Sequence, residues 1–186
     1  MFLSKLRSTA GISLVEILVS LIITGLLATA SFQFYSDMNG RTLTQQDLSD
    51  LQHICRTTVY ELKKNIRMAG YKIGSHEPFA IAGDTLLVYQ QGTNPVDTIR
   101  YFLTEETEVL DVEGAHQLYR LMKQMNSEPA VIMSDHLSSL IFTEVDSANI
   151  EVVVTAESMR RDHEYVSNDG FKSYSLTELI KIRNVN

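Results

Sequence analysis

Between Ile12 and Phe34 apolar residues dominate the chain, and Glu16 is the single ionisable side chain in the stretch. As a helix rising 1.5 Å per residue, this run measures roughly 35 Å, enough to cross a hydrocarbon core of about 30 Å. Beyond it the pattern becomes one-sided. Over 41–69, Leu48, Leu51, Cys55, Val59, Leu62, Ile66 and Ala69 recur every three or four residues, with Arg56, Glu61, Lys63, Lys64 and Arg67 between them. That spacing predicts an amphipathic helix. Gly70 is placed to terminate it, and Lys63, Lys64 and Arg67 complement the negative end of its dipole. A single helix from Ile12 to Ala69 would measure about 87 Å, with Asn39-Gly40 as a point of interruption.

From Tyr71 the period shortens to two. Residues 85–90, 98–103, 139–145, 150–155 and 175–183 are rich in β-branched and aromatic types and predict strands. Thr93-Asn94-Pro95 marks a turn between the first two, and Asn168-Asp169-Gly170 precedes the last. Residues 117–124 fit strand or helix, with strand preferred. The order predicts an α+β fold: a long N-terminal helix, membrane-spanning in its first half and amphipathic in its second, packed on an antiparallel β-sheet domain. The expected divisions are a leader over 1–11, the membrane half over 12–37, the amphipathic half over 38–70 and the sheet domain over 71–186.

Charge sharpens this division. The formal net charge is −7, while Lys5, Arg7 and Glu16 leave residues 1–36 at +1. The body is therefore acidic, which argues against a nucleic-acid partner, since that needs a basic stripe. Cys55 is the one cysteine, so no intramolecular disulfide forms. Its place on the apolar helix face predicts a buried, inert thiol.

Little in the sequence points to catalysis. The five histidines are dispersed, and no zinc-protease, nucleophile-elbow, paired-cysteine or phosphate-loop motif occurs. No enzyme activity, cofactor or metal site is expected. Asp135-His136 and Asp162-His163-Glu164 lie in polar sequence and read as solvated loops. Asp84, Asp97 and Asp169 lack the spacing of calcium ligands. Met122, Met125 and Met133 read as core filler.

The basic segment before Ile12 is a targeting layout, which keeps the leader in the cytoplasm and places the carboxyl end of the apolar run outside. An ordinary secretory signal is one reading, because Ala28-Thr29-Ala30 has the form of a cleavage site. It implies a secreted soluble binding domain or hydrolase beginning at Ser31. Against it stand Glu16, a carboxylate that costs about 2.5–3.5 kcal/mol at mid-membrane depth and less near the edge, and the helical pattern that continues past Ala30.

The segment Gly11-Ile12-Ser13-Leu14-Val15-Glu16-Ile17-Leu18-Val19-Ser20-Leu21 resembles the prepilin signature of the type IV pilin superfamily. The resemblance implies cleavage between Gly11 and Ile12 by a prepilin peptidase, methylation of the new Ile12 amine, and a mature chain of charge −9. It also implies that Glu16 meets the amine of a neighbouring subunit as an assembly charge pair. Later segments, Ile66-Arg67-Met68-Ala69-Gly70-Tyr71, Asp97-Thr98-Ile99-Arg100-Tyr101-Phe102-Leu103, Gln117-Leu118-Tyr119-Arg120 and Ile182-Arg183-Asn184, resemble the PilW-type minor pilins and, more distantly, the J-type minor pseudopilins of type II secretion. The implied function is a minor subunit that initiates or caps a fibre. Its partners would be the peptidase, other minor and major subunits, an inner-membrane assembly platform and membrane lipid. Its location would be the cytoplasmic membrane, single-pass, and then the fibre. The chain departs from the pattern in having Ile12 where phenylalanine is frequent and in lacking a proline in the second half of the apolar run. A pilus, a secretion pseudopilus and a DNA-uptake fibre fit these motifs equally.

Overall fold

The computed structural model describes residues 13–74, 76–92, 94, 96–106, 109–111, 114–162 and 170–184. The leader, Gly11 and Ile12 lie outside them, as do Thr93, Pro95, His163, Glu164 and Asp169. One helix, α1, runs from Leu14 to Ile66 and passes Asn39-Gly40 without a break. The chain divides into two units at Gln45 and Gln46.

In the first unit the described residues form the apolar part of α1, and its large side chains, from Leu14 to Met38, are all exposed. This helix is long and apolar enough to cross a membrane. Its hydroxyls turn inward: Ser20 Oγ donates to the Glu16 carbonyl at 2.7 Å and Thr29 Oγ1 to the Gly25 carbonyl at 2.8 Å. Polar atoms satisfied by their own helix can lie in an apolar medium.

In the second unit α1 buries the stripe the spacing predicts. Leu51, Cys55, Val59, Leu62 and Ile66 are at most 5% exposed, whereas Leu48 keeps 40% exposure. They face a seven-stranded antiparallel sheet in the order β1-β2-β3-β6-β7-β8-β9. Its strands are Phe79–Ala82, Thr85–Gln90, Asp97–Glu105, Tyr119–Met125, Val131–Asp146, Asn149–Arg161 and Phe171–Lys181. A hairpin of β4 (Val109–Asp111) and β5 (Gly114–His116) is inserted between β3 and β6. Alternation decides the face. Ile99 and Tyr101 are buried while Arg100 between them is exposed, and Ile150, Val152 and Val154 line the helix side of β8. Truncating one fully buried Leu or Ile of this kind to Ala typically costs about 2–5 kcal/mol.

All five expected strands are present, and 117–124 overlaps β6, which runs one residue further to Met125. The differences have physical causes. β7 begins at Val131 rather than 139 because its first half carries two register irregularities that spoil period two. β1 and the β4–β5 hairpin are too short to show a period. α1 ends at Ile66 rather than Ala69, since Met68 and Ala69 bond back to Asn65 and Ile66 in tighter three-residue turns.

Ion pairs fasten helix to sheet. Lys63 meets Glu178 of β9. Lys172, whose side chain is only 6% exposed, lies 3.3 Å from Asp47 of α1 and 3.0 Å from Asp162. Burial alone would lower its pKa, but the hydrogen bonds to Asp162 and Asp47 outweigh that and raise it above the ordinary lysine value. A raised lysine pKa stabilises the fold fully below the unfolded value and loses that contribution as pH rises through the folded one. Lys172 is thus charged at neutral pH.

Cys55 is wholly buried, with Sγ 3.4 Å from the Tyr174 carbonyl and 3.7 Å from that of Val154. Burial pushes its thiol pKa up, and an apolar, protonated thiol is a poor nucleophile. The folded protein should leave a thiol reagent unconsumed over hours and consume one equivalent at once in denaturant. Rapid labelling of the native chain would show that the helix lifts off the sheet at this point.

Candidate functional site

Two places concentrate chemistry, one in each unit. In the first unit, Glu16 stands in the first turn of α1. Glu16, Ser20, Thr24 and Ala28 follow at intervals of four on one side of the helix, flanked by Ile17, Leu21 and Gly25, and together they line one shallow surface. The Glu16 carboxylate has no hydrogen bond or ion pair among the described residues. Small and polar side chains in this arrangement let another helix approach closely in a membrane. The cleavage and methylation positions Gly11 and Ile12 lie outside the described residues.

The second place is built around Glu106, the residue after β3. Its backbone N–H donates to the Leu118 carbonyl at 2.7 Å and its carbonyl accepts from Gln117 Nε2 at 3.2 Å, continuing the β3–β6 pairing. Its side chain is 6% exposed. One carboxylate oxygen, Oε1, is 3.2 Å from Arg120 Nη2, and the other, Oε2, accepts the His136 backbone N–H at 2.9 Å.

A bulge brings the remaining groups in. Tyr119 pairs with Leu137 and Leu121 with Ser134, so the single residue Arg120 on β6 faces both Asp135 and His136 on β7. His136 adopts φ +59°, a conformation that typically costs a non-glycine residue about 1–3 kcal/mol and concentrates at functional positions. Neighbouring residues of a regular strand point to opposite faces. Here one donor atom each from Glu106, Asp135 and His136 lies within 4.8 Å of the others. His136 Nδ1 is 3.3 Å from Glu106 Oε2, yet it is buried and makes no hydrogen bond among the described residues, as is also true of Arg120 Nε.

Asp135 and His136 therefore sit at a strand bulge rather than in the expected solvated loop. No local spacing in the sequence relates Glu106 to His136, thirty residues further on. Asp97, weighed as a calcium ligand, is buried and its Oδ1 accepts amide hydrogens from Asn94 at 2.7 Å and Asn126 at 2.8 Å. Those two donors tie the carboxylate to the neighbouring turns. Asp84 is exposed in the β1–β2 turn.

No protein-family model, curated protein or solved structure matches this chain.

Proposed function

We propose that the chain is a minor subunit of a type IV pilin-like fibre, which helps to start or cap assembly and performs no chemistry itself. The observation that supports the reading most is α1. It is one unbroken helix from Leu14 to Ile66, with an exposed apolar first part that carries in its first turn a carboxylate without a partner among the described residues, and a second part that covers an antiparallel sheet. A soluble domain gains nothing from an exposed apolar helix with a carboxylate near its start. A subunit stored in the membrane and transferred to a fibre gains an anchor, a packing face and a register charge. Half-exposed Ile132, Ile141, Val145 and Leu179 on the sheet offer further contact area to neighbouring subunits. On this reading the partners are a prepilin peptidase, other minor and major subunits, the inner-membrane assembly platform and lipid. The location is the cytoplasmic membrane with the sheet domain outside, and then the fibre.

The test is the mature amino terminus. A chain beginning at methylated Ile12, together with an uncut, membrane-held precursor in Gly11→Val, is the expected result, because the peptidase must fit a residue without a side chain before the bond. A terminus at Ser31 would replace the proposal with the secreted-domain reading suggested by Ala28-Thr29-Ala30.

A further inference from the structure

We propose that Glu106, Asp135 and His136 form a binding site for a zinc-type divalent transition metal. The proposal is independent of the fibre reading and rests on three features of the bulge.

The first is the contact between His136 Nδ1 and Glu106 Oε2. At 3.3 Å it is close, but Nδ1 makes no hydrogen bond there and is shielded from solvent. A proton shared by two atoms lies near the line between them. A tetrahedral cation lies well off that line. With metal–nitrogen and metal–oxygen distances of about 2.0–2.2 Å, tetrahedral geometry separates neighbouring ligand atoms by about 3.3–3.5 Å. The observed contact thus leaves Nδ1 without a hydrogen bond and has the right length for two ligands of one ion.

The second is the carboxylate's orientation. Arg120 Nη2 holds Oε1 at 3.2 Å, and the His136 backbone N–H holds Oε2 from one side at 2.9 Å. Partners of this kind orient a monodentate ligand and leave one lone pair of Oε2 available. The two carboxylates outweigh the charge of Arg120, so the pocket remains attractive to a cation.

The third is composition. A buried carboxylate, an exposed carboxylate and an imidazole give one nitrogen and two oxygen ligands, with Asp135 exposed at the entrance. Calcium takes six to eight oxygen ligands, and magnesium keeps an octahedral shell of oxygen, so neither suits this set. Imidazole with carboxylates suits zinc, cobalt(II) or nickel, with water completing the shell.

The experiment uses the full chain in detergent micelles after removal of metal by chelation. Cobalt(II) titration should give a visible absorption band that zinc abolishes. Zinc at a hundredfold excess over its dissociation constant should raise the melting temperature by about 5 °C or more. His136→Asn keeps a residue that tolerates left-handed backbone, and Asp135→Asn alters an exposed side chain. Each should weaken zinc binding at least tenfold, with the metal-free melting temperature of Asp135→Asn unchanged. Should His136→Asn fail to fold, Asp135→Asn alone decides. The proposal is overturned if the wild-type chain gives neither band nor melting shift at millimolar metal. It is equally overturned if Asp135→Asn binds zinc as tightly as wild type, which would assign binding to other histidines or to the amino terminus.

Discussion

Gly70→Ala should lower the melting temperature of the sheet domain by about 6–12 °C, whereas Gly74→Ala should lower it by about 2–8 °C, with the Gly70 loss the larger of the two. Both glycines have positive φ, +78° and +69°, and that conformation alone costs an alanine roughly 1–2 kcal/mol. They differ in what a side chain would meet. Beside Gly74 there is open space, but a Cβ on Gly70 would run into the backbone carbonyl of Asn184. That carbonyl belongs to a terminal segment fixed at several points. Ile182 N–H donates to the Ala148 carbonyl at 2.7 Å, Arg183 N–H to that of Arg67 at 3.3 Å, and Asn184 Nδ2 to that of Ala69 at 3.3 Å. Backbone so held cannot withdraw without losing bonds, each worth about 0.5–1.5 kcal/mol. Strain plus two such bonds comes to about 3 kcal/mol, and in a domain of this size each kcal/mol moves the midpoint by about 2–4 °C. Near-ultraviolet circular dichroism of the full chain in mild detergent measures it. Equal losses at the two glycines would show that the terminal segment does not clamp the helix end.

The position of that glycine was legible in the sequence, but its partner was not. Gly70 closes a helical period, and a glycine there is a local signal. Contact with Asn184, more than a hundred residues away, leaves no trace in spacing. The same division runs through the fold. Leu51, Cys55, Val59, Leu62 and Ile66 announced the buried face of α1 because helical burial repeats every three to four residues. β2 was legible to the residue, since Leu86 and Val88 alternate cleanly with less buried neighbours. β7 was only half legible. Its bulges place Met133 and Ser134 on the helix side together, with Ser134 Oγ accepting from Thr58 Oγ1 at 2.8 Å, and two adjacent inward residues cancel a period of two.

For the cluster around Glu106, the sequence held one half of the information. Asp135-His136 is visible as a pair, but a strand would normally send the two side chains to opposite faces. Only the bulge opposite Arg120, with His136 in the left-handed region, turns them toward a common point. Nothing in one chain's spacing predicts a bulge between β6 and β7. For Glu16 the position is reversed. The sequence supplies the whole of the local argument, because an isolated carboxylate in an apolar run is conspicuous, and its partner in the proposed mechanism belongs to another molecule.

That mechanism gives the second large expected effect. Under the proposed function, Glu16→Ala should leave membrane insertion, cleavage after Gly11 and the melting of the sheet domain unchanged, while recovery of this subunit in sheared fibres falls at least tenfold. The carboxylate makes no contact among the described residues that the fold would lose, and removing a charge from an apolar helix favours insertion. In an assembly the balance reverses. The amine of Ile12 on the adjacent subunit, brought among apolar helices, would be stranded, and leaving one member of a desolvated ion pair without the other corresponds to about a hundredfold or more in an equilibrium constant. Glu16→Gln separates charge from shape, since it keeps the side chain's length and hydrogen-bonding capacity; it should behave like alanine if charge sets the register. A subunit at the extreme tip has no neighbour beyond it, so its own carboxylate would be dispensable there while its amine would still be needed below. Unchanged recovery of the alanine variant, with cleavage verified in the same cells, would therefore remove charge pairing as this subunit's assembly mechanism and place the chain at the tip or outside a fibre. Loss of cleavage in the variant would instead assign Glu16 to peptidase recognition.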